Sequence, residues 1–259
     1  TIFFSYMKKQ IIILWIASVV IVFLAVYISN ITDKDYPITS TIGIEGKKVS
    51  NRFEKTHYGH FDYLIIIRTD IKDLEGQLFW KAQKDSVWQS SKLNKSDLVL
   101  EGKIPALKPE KELDYFVELY YKDKKFVVPD NKSVSITFFG KIPAAINVLE
   151  FVLLYLGLIL AARTGLEFFN EGRNSKKFGM LTAIIFLTLI ALVNPLYLTY
   201  KFGFINSSIP PVTRLFFLSD LIIFALWVVT LIAIFSTNKF KYLPLIAAIL
   251  TILITALFR

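Results

Sequence analysis

Few residues in this chain have the types and spacing that chemistry demands. His57 and His60 are the only two histidines, and there is no cysteine. A His-x-x-His pair shares one face of a helix, but this stretch runs into strand-like sequence, where positions i and i+3 point to opposite faces. With Asp62 as the nearest acid, a metal ion would need a third or fourth ligand from elsewhere. His57 and His60 are therefore weak metal candidates and read better as strand-edge residues. The lack of cysteine removes disulfides, thiolate metal sites and c-type haem attachment. No histidine falls in an apolar run, which excludes a bis-histidine haem there. No Ser/His/Asp set, phosphate-cradling glycine loop or paired-carboxylate hydrolase pattern is present. No cofactor is expected, and the reading leans away from an enzyme.

The polar groups that remain sit inside apolar sequence. Glu150 is the one charge in residues 142–162, about seven residues past Pro143 and so roughly 10 Å into a helix starting there. A carboxylate at that depth is costly and should face protein or water. Asp220, Arg214, Lys201 and Asn194, the last followed by Pro195, flank the same end of neighbouring apolar runs. Glu150, Asn194, Lys201, Arg214 and Asp220 are expected to form one polar cluster, with Glu150 in reach of a group from the third or fourth run. It would serve either as an interfacial anchor, with Glu150 and Asp220 paired to Lys201 or Arg214, or as a binding site. Asn194-Pro195 should kink its helix.

The elements that must hold these groups are spanning helices. Residues 11–31, 178–200 and 221–236 carry no charge, and neither does Leu243–Phe258. Amphipathic core helices would show charge every three or four positions, whereas a spanning helix needs roughly 20 apolar residues. The expected organisation is a cytoplasmic N-terminus (1–10) and an uncleaved signal anchor (11–30). An extracytoplasmic domain (31–141) and a four-helix bundle (142–163, 178–200, 215–236, 242–258) follow, about five spans in all. Met7-Lys8-Lys9 reads as a natural start. The trailing Lys8, Lys9, Arg163, Arg173, Lys176, Lys177, Lys239 and Lys241 would lie inside, against Lys201, Arg214 and Arg259 outside. That asymmetry puts the N-terminus in the cytoplasm and the domain beyond the membrane.

The net charge of +9 divides unevenly. Residues 31–141 hold 19 Lys/Arg against 17 Asp/Glu, leaving most of the excess beside the spans. Such basic residues set topology, and nucleic acid is not an expected partner. Within 31–141 short β-branched and aromatic runs (61–69, 76–82, 98–104, 113–121, 125–128, 134–139) alternate with turn residues such as Pro105, Pro109 and Pro129-Asp130-Asn131. This grammar suggests an all-β sandwich of immunoglobulin or fibronectin III type, held by its core alone. Trp15, Trp80, Trp88 and Trp227 read as packing or interface aromatics.

Lys55-Thr56-His57-Tyr58-Gly59-His60, Trp80 and Trp88, Ile104-Pro105, Phe139-Gly140-Lys141-Ile142-Pro143, Arg163-Thr164-Gly165-Leu166-Glu167, Phe202-Gly203-Phe204 and Ile209-Pro210 occur in one order. In this the chain resembles a family of bacterial inner-membrane proteins common in the Bacteroidota. The family carries an exported immunoglobulin- or fibronectin-like domain and a C-terminal helical bundle. The chain departs from it at Glu150, where the family has a histidine, and over 212–220, where the family's acidic motif is missing. The resemblance implies architecture, a place in the cell envelope and no activity. The expected function is a non-enzymatic membrane protein whose β-sandwich binds a partner, a protein or a glycan, while its bundle anchors it in the lipid bilayer or joins a larger complex. The alternatives are a small-molecule or ion-handling protein using the polar cluster, and a membrane enzyme or redox-complex subunit.

Overall fold

A computed structural model describes residues 2–83, 85–129, 132–170, 174–206 and 210–258. The chain combines helices with a sizeable β-sheet domain in two compact units. One holds residues 1–33, 143–199 and 207–259, and the other holds 34–142 together with 200–206.

The helices are α1 (Ile2–Thr32), α2 (Ala144–Leu166), α3 (Ser175–Thr188), α4 (Asn194–Lys201), α5 (Leu218–Ser236) and α6 (Leu243–Phe258). Among the described residues four helical stretches are long and apolar enough to cross a membrane: Lys9–Thr32, Ala144–Asn170, Ser175–Lys201 and Leu218–Ser236. The shortest, at 19 residues, rises about 28 Å. Leu243–Phe258 is a shorter apolar helix. α2 packs on α1, α3 and α6, while α5 packs on α3 and α6. Gly165 permits the α2–α6 approach, because a Cβ there would meet the Ala248 Cβ at 2.6 Å. The shared core includes Leu158, Phe186, Val193, Ile223 and Trp227, and the Trp227 indole N–H donates to Thr251 Oγ1 at 3.0 Å. The opposite helix faces expose Ile12, Ile16, Phe151, Ile184, Val229 and Ile232.

The helix expected over 178–200 changes its winding partway along. A π-turn, Leu189–Val193, separates α3 from α4, and the Asn194 N–H donates to the Leu189 carbonyl. The cause lies in the sequence: Pro195 has no N–H and its ring crowds the preceding turn, so the ladder widens there.

The β unit folds its strands into two sheets around one core. The first runs β1 (Ile38–Ile44), β2 (Lys47–Phe53), β4 (Tyr63–Arg68), β8 (Val99–Ile104), β7 (Asn94–Ser96). The second runs β3 (Thr56–Tyr58), β11 (Val134–Phe139), β9 (Glu112–Tyr121), β5 (Glu75–Ala82), β6 (Gln89–Lys92), with β10 (Lys124–Val128) also on β9. Pairing is antiparallel except for β3 on β11. Alternation sets the faces: Tyr63, Ile65 and Ile67 of β4 and Leu113, Tyr115, Val117 and Leu119 of β9 point into the shared core. β1, β2, β3, β6 and β7 lie outside the expected runs. Their outward residues are polar, as in Lys47-Lys48-Val49-Ser50-Asn51-Arg52-Phe53, where only Val49, Asn51 and Phe53 are buried. Glu45-Gly46, both at positive φ, closes the β1–β2 hairpin as a two-residue turn.

The boundary at 141 omits a segment that the fold includes. Residues 200–206 belong to the β unit: the Gly140 N–H donates to the Lys201 carbonyl at 2.7 Å, and Phe202 meets Phe139 at 6.3 Å between centroids.

Candidate functional site

His57 lies half-buried on β3 among Phe61, Tyr63 and Phe138, its ring 5.2–5.4 Å from each, with Nε2 2.9 Å from the Phe61 carbonyl. His60 is exposed, and Asp62 accepts a hydrogen bond from the Ala106 N–H. Among the described residues no three His, Asp or Glu side chains gather as a metal site.

The five residues expected to form one polar cluster fall in different places. Asn194 and Asp220 meet: Asn194 Nδ2, at the start of α4, donates to Asp220 Oδ2, in the first turn of α5, at 2.8 Å, and both residues are fully buried. Glu150 instead lines a cavity of about 210 Å³ between α1, α2 and α6, beside Asn30, Tyr155 and Thr255 and above an apolar floor of Val22 and Leu158. The described lining of that cavity comes from α1, α2 and α6. Lys201 places its ammonium 4.6 Å over the Phe139 ring in the β unit. Arg214 is exposed on a short turn, Val212–Arg214.

A buried charge pair appears where the sequence suggested only loop charges. Arg163 is not an exposed residue ending its helix. It is fully buried, with its Nη1 2.6 Å from Oε1 of an equally buried Glu167. Its guanidinium lies 5.5 Å from the Trp15 ring and 5.0 Å from Phe178. Glu167 also accepts from Asn170 Nδ2 and the Asn174 N–H. Arg173 and Arg259, counted with Arg163 in the charge asymmetry, lie outside the described residues, as do Asp130, Asn131 and Ile209.

A further surface escaped the sequence reading. Residues of β5 and β9 alternate between core and outside, and on the outside Phe79 and Phe116 stack at 5.0 Å with 6° between planes. Trp88 meets Phe116 edge-on at 4.8 Å, and the Lys81 ammonium lies 4.9 Å over the Trp88 ring. All four are half-exposed, and Val87 beside them is 75% exposed. Polar groups surround this centre: Gln77 with Ser90, Asp114 with Ser135, and Glu118 with Tyr120 and Lys125. Burial pushes the Glu118 carboxyl up, but Lys125 and Tyr120 outweigh it and hold the group below its ordinary value. The hydrogen bond to Glu118 correspondingly raises Lys125. The signal was parity: Phe79 and Phe116 occupy outward positions of strands whose other positions fill the core, where polar residues are the norm. Trp80, at inward parity, packs against the core, whereas Trp88 does not. Compared with known protein families and curated proteins, the chain matches none.

Proposed function

We propose that this chain is an integral protein of the bacterial inner membrane, with its N-terminus cytoplasmic and its β unit extracytoplasmic. In this reading the β unit is an immunoglobulin-like sandwich that binds a protein partner, and the helical unit anchors it. Membrane insertion is supported by helices about 28 Å or longer whose outer faces expose large apolar side chains. The sandwich reading is supported by strand order. β2-β4-β8-β7 runs as A-B-E-D, and β11-β9-β5-β6 runs as G-F-C with a C′ strand added, β10 extending G. The resemblance to a Bacteroidota envelope family is in keeping with both.

The observation that carries partner binding is the Phe79–Phe116–Trp88 cluster. Aromatic rings, half-exposed on an outward sheet face and ringed by polar pairs, have the anatomy of an interface core and rim. A photocrosslinking residue at Phe116, in the full chain in native membranes, should yield an adduct of one defined mass. The same residue at Ile66, exposed on the other sheet, should not. Trp88→Ala, combined with the Phe116 probe, should abolish the adduct. Equal adducts from both faces, or none from Phe116, would refute the reading.

A further inference from the structure

The β unit carries a cleft of about 510 Å³ that the aromatic cluster does not use. Two lysines, Lys34 and Lys55, and three acids, Asp35, Glu110 and Glu112, line it, with Ser135, Thr137, Phe139 and Phe202. Strand register orders these groups. The Thr137 N–H donates to the Lys55 carbonyl at 2.9 Å, and on its other side Thr137 pairs with Glu112. With neighbouring strands about 4.8 Å apart, the row runs from lysine through hydroxyl to carboxylate across roughly 10 Å. Lys55 Nζ donates to the Lys34 carbonyl at 2.5 Å, so the two lysines adjoin. Among the described residues neither has a carboxylate within ion-pair distance. Glu112 accepts from Thr137 Oγ1 at 3.3 Å and from Gln83 Nε2 at 2.6 Å. An ionised carboxylate offers about four acceptor positions, so further donors can be taken.

Position along the chain points to the source of a ligand. Lys34 stands two residues beyond Thr32, the end of α1, and Phe202 one residue beyond Lys201, the end of the apolar stretch Ser175–Lys201. At no more than about 3.6 Å per residue, both lie within about 7 Å of the ends of helices long enough to span. The polar layer on each side of a bilayer is about 5–7 Å deep. We propose that this cleft holds the headgroup of an ethanolamine phospholipid, its phosphodiester at Lys34 and Lys55 and its primary ammonium at Glu112. The assignment rests on the membrane reading above. Mixed charge selects the ligand. A purely anionic headgroup would bring phosphate among three acids and offer them no cation, and like charges so placed are costly. A choline headgroup has the positive charge but no N–H to donate to Glu112. The rings give the ammonium an aromatic wall, and Phe139 already holds the Lys201 ammonium at 4.6 Å.

The test uses the full chain. Membranes are first washed with alkaline carbonate; release of the chain would overturn the membrane reading and this proposal together. The retained chain is purified in mild detergent, and native mass spectrometry counts bound lipid as phosphatidylethanolamine, phosphatidylcholine or phosphatidylglycerol is added. Phosphatidylethanolamine should reach a plateau of one molecule and bind about tenfold more tightly than either other lipid, the worth of one charge-assisted hydrogen bond. Glu112→Gln should erase the preference for ethanolamine over choline, and Lys34→Gln with Lys55→Gln should weaken ethanolamine lipid about tenfold or more. Lys48→Gln, at an exposed position on the first sheet, should change neither. Equal binding of the three lipids, or an ethanolamine preference that survives Glu112→Gln, would overturn the proposal while leaving the membrane reading intact. Glycerophosphoethanolamine binding as tightly as the lipid would make the ligand a soluble phosphodiester and overturn the lipid assignment. None of these lipid-binding outcomes bears on the crosslinking result at Phe116.

Discussion

Breaking the Arg163–Glu167 pair from one side and then from both should give opposite results. Both side chains are fully buried and their nearest atoms are 2.6 Å apart. Removing one partner of such a pair strands the other charge away from water, at about 3–5 kcal/mol, whereas removing both together is often neutral or stabilising. The two single changes are not equivalent here. In Arg163→Met the unbranched side chain can still lie between Trp15 and Phe178, and Glu167 keeps Asn170 Nδ2 at 3.1 Å and the Asn174 N–H at 3.1 Å. Its cost should fall near 3 kcal/mol, the lower end of that range. In Glu167→Gln the guanidinium loses its counter-charge, and a neutral amide oxygen and two ring faces are left opposite it. Desolvated contacts of that kind contribute about 2 kcal/mol or more, which does not replace a counter-ion, so the cost should fall near 5 kcal/mol. The double variant should lie within about 1 kcal/mol of the parent. The assay is unfolding of the purified chain in detergent, monitored by tryptophan fluorescence because Trp15 lines the site. Single variants as stable as the parent, or a double variant whose loss is the sum of the singles, would refute the reasoning.

Gly140→Ala should destabilise the β unit by about 1–3 kcal/mol through overpacking, since a Cβ there would meet the Tyr200 carbonyl oxygen at 2.2 Å; thermal unfolding reads this. For the same reason residues 31–141 expressed without 200–206 should be less stable than a version carrying that segment as an added peptide. Acid should weaken the β unit through Glu118: its folded value is depressed, so the stabilisation is complete above the ordinary carboxylate range and is lost as pH falls through the depressed value. Glu118→Gln should flatten that part of the stability–pH profile, and an unchanged profile would count against the pairing. Reporter fusions after Lys132 and after Lys177 should report opposite compartments; the same compartment from both would overturn the proposed topology.

Much of the architecture was legible because it depends on local composition. Uncharged runs of membrane length become apolar helices whatever surrounds them, since nothing in such a run can face water along its whole length. The strands 63–68, 75–82, 99–104, 112–121, 124–128 and 134–139 declared themselves by β-branched and aromatic residues between turn residues. Asn194-Pro195 announced a disturbance in its helix because proline removes a donor wherever it stands. β1, β2 and β3 did not declare themselves, for their outward positions are polar and their inward ones include Asn51 and His57. Their strand state depends on partners such as the parallel pairing of Thr56–Tyr58 with β11.

What the sequence by itself determined, then, was the period and polarity of each segment: which runs are apolar enough to span, which alternate as strands, and which residues carry charge within them. Only the tertiary structure decided who meets whom. Glu150 and Asp220 were indistinguishable as isolated acids in apolar helices, yet helix packing sends one to a cavity among α1, α2 and α6 and the other to Asn194. Arg163 resembled a loop charge until Glu167, Trp15 and Phe178 enclosed it. Phe79 and Phe116 were hydrophobic residues like their neighbours until register on β9 turned both outward and stacked them. The physical reason is common to all three: propensity and burial preference act over a few residues, whereas pairing of charges and rings depends on helix rotation and strand register, which are set by packing between segments distant in sequence.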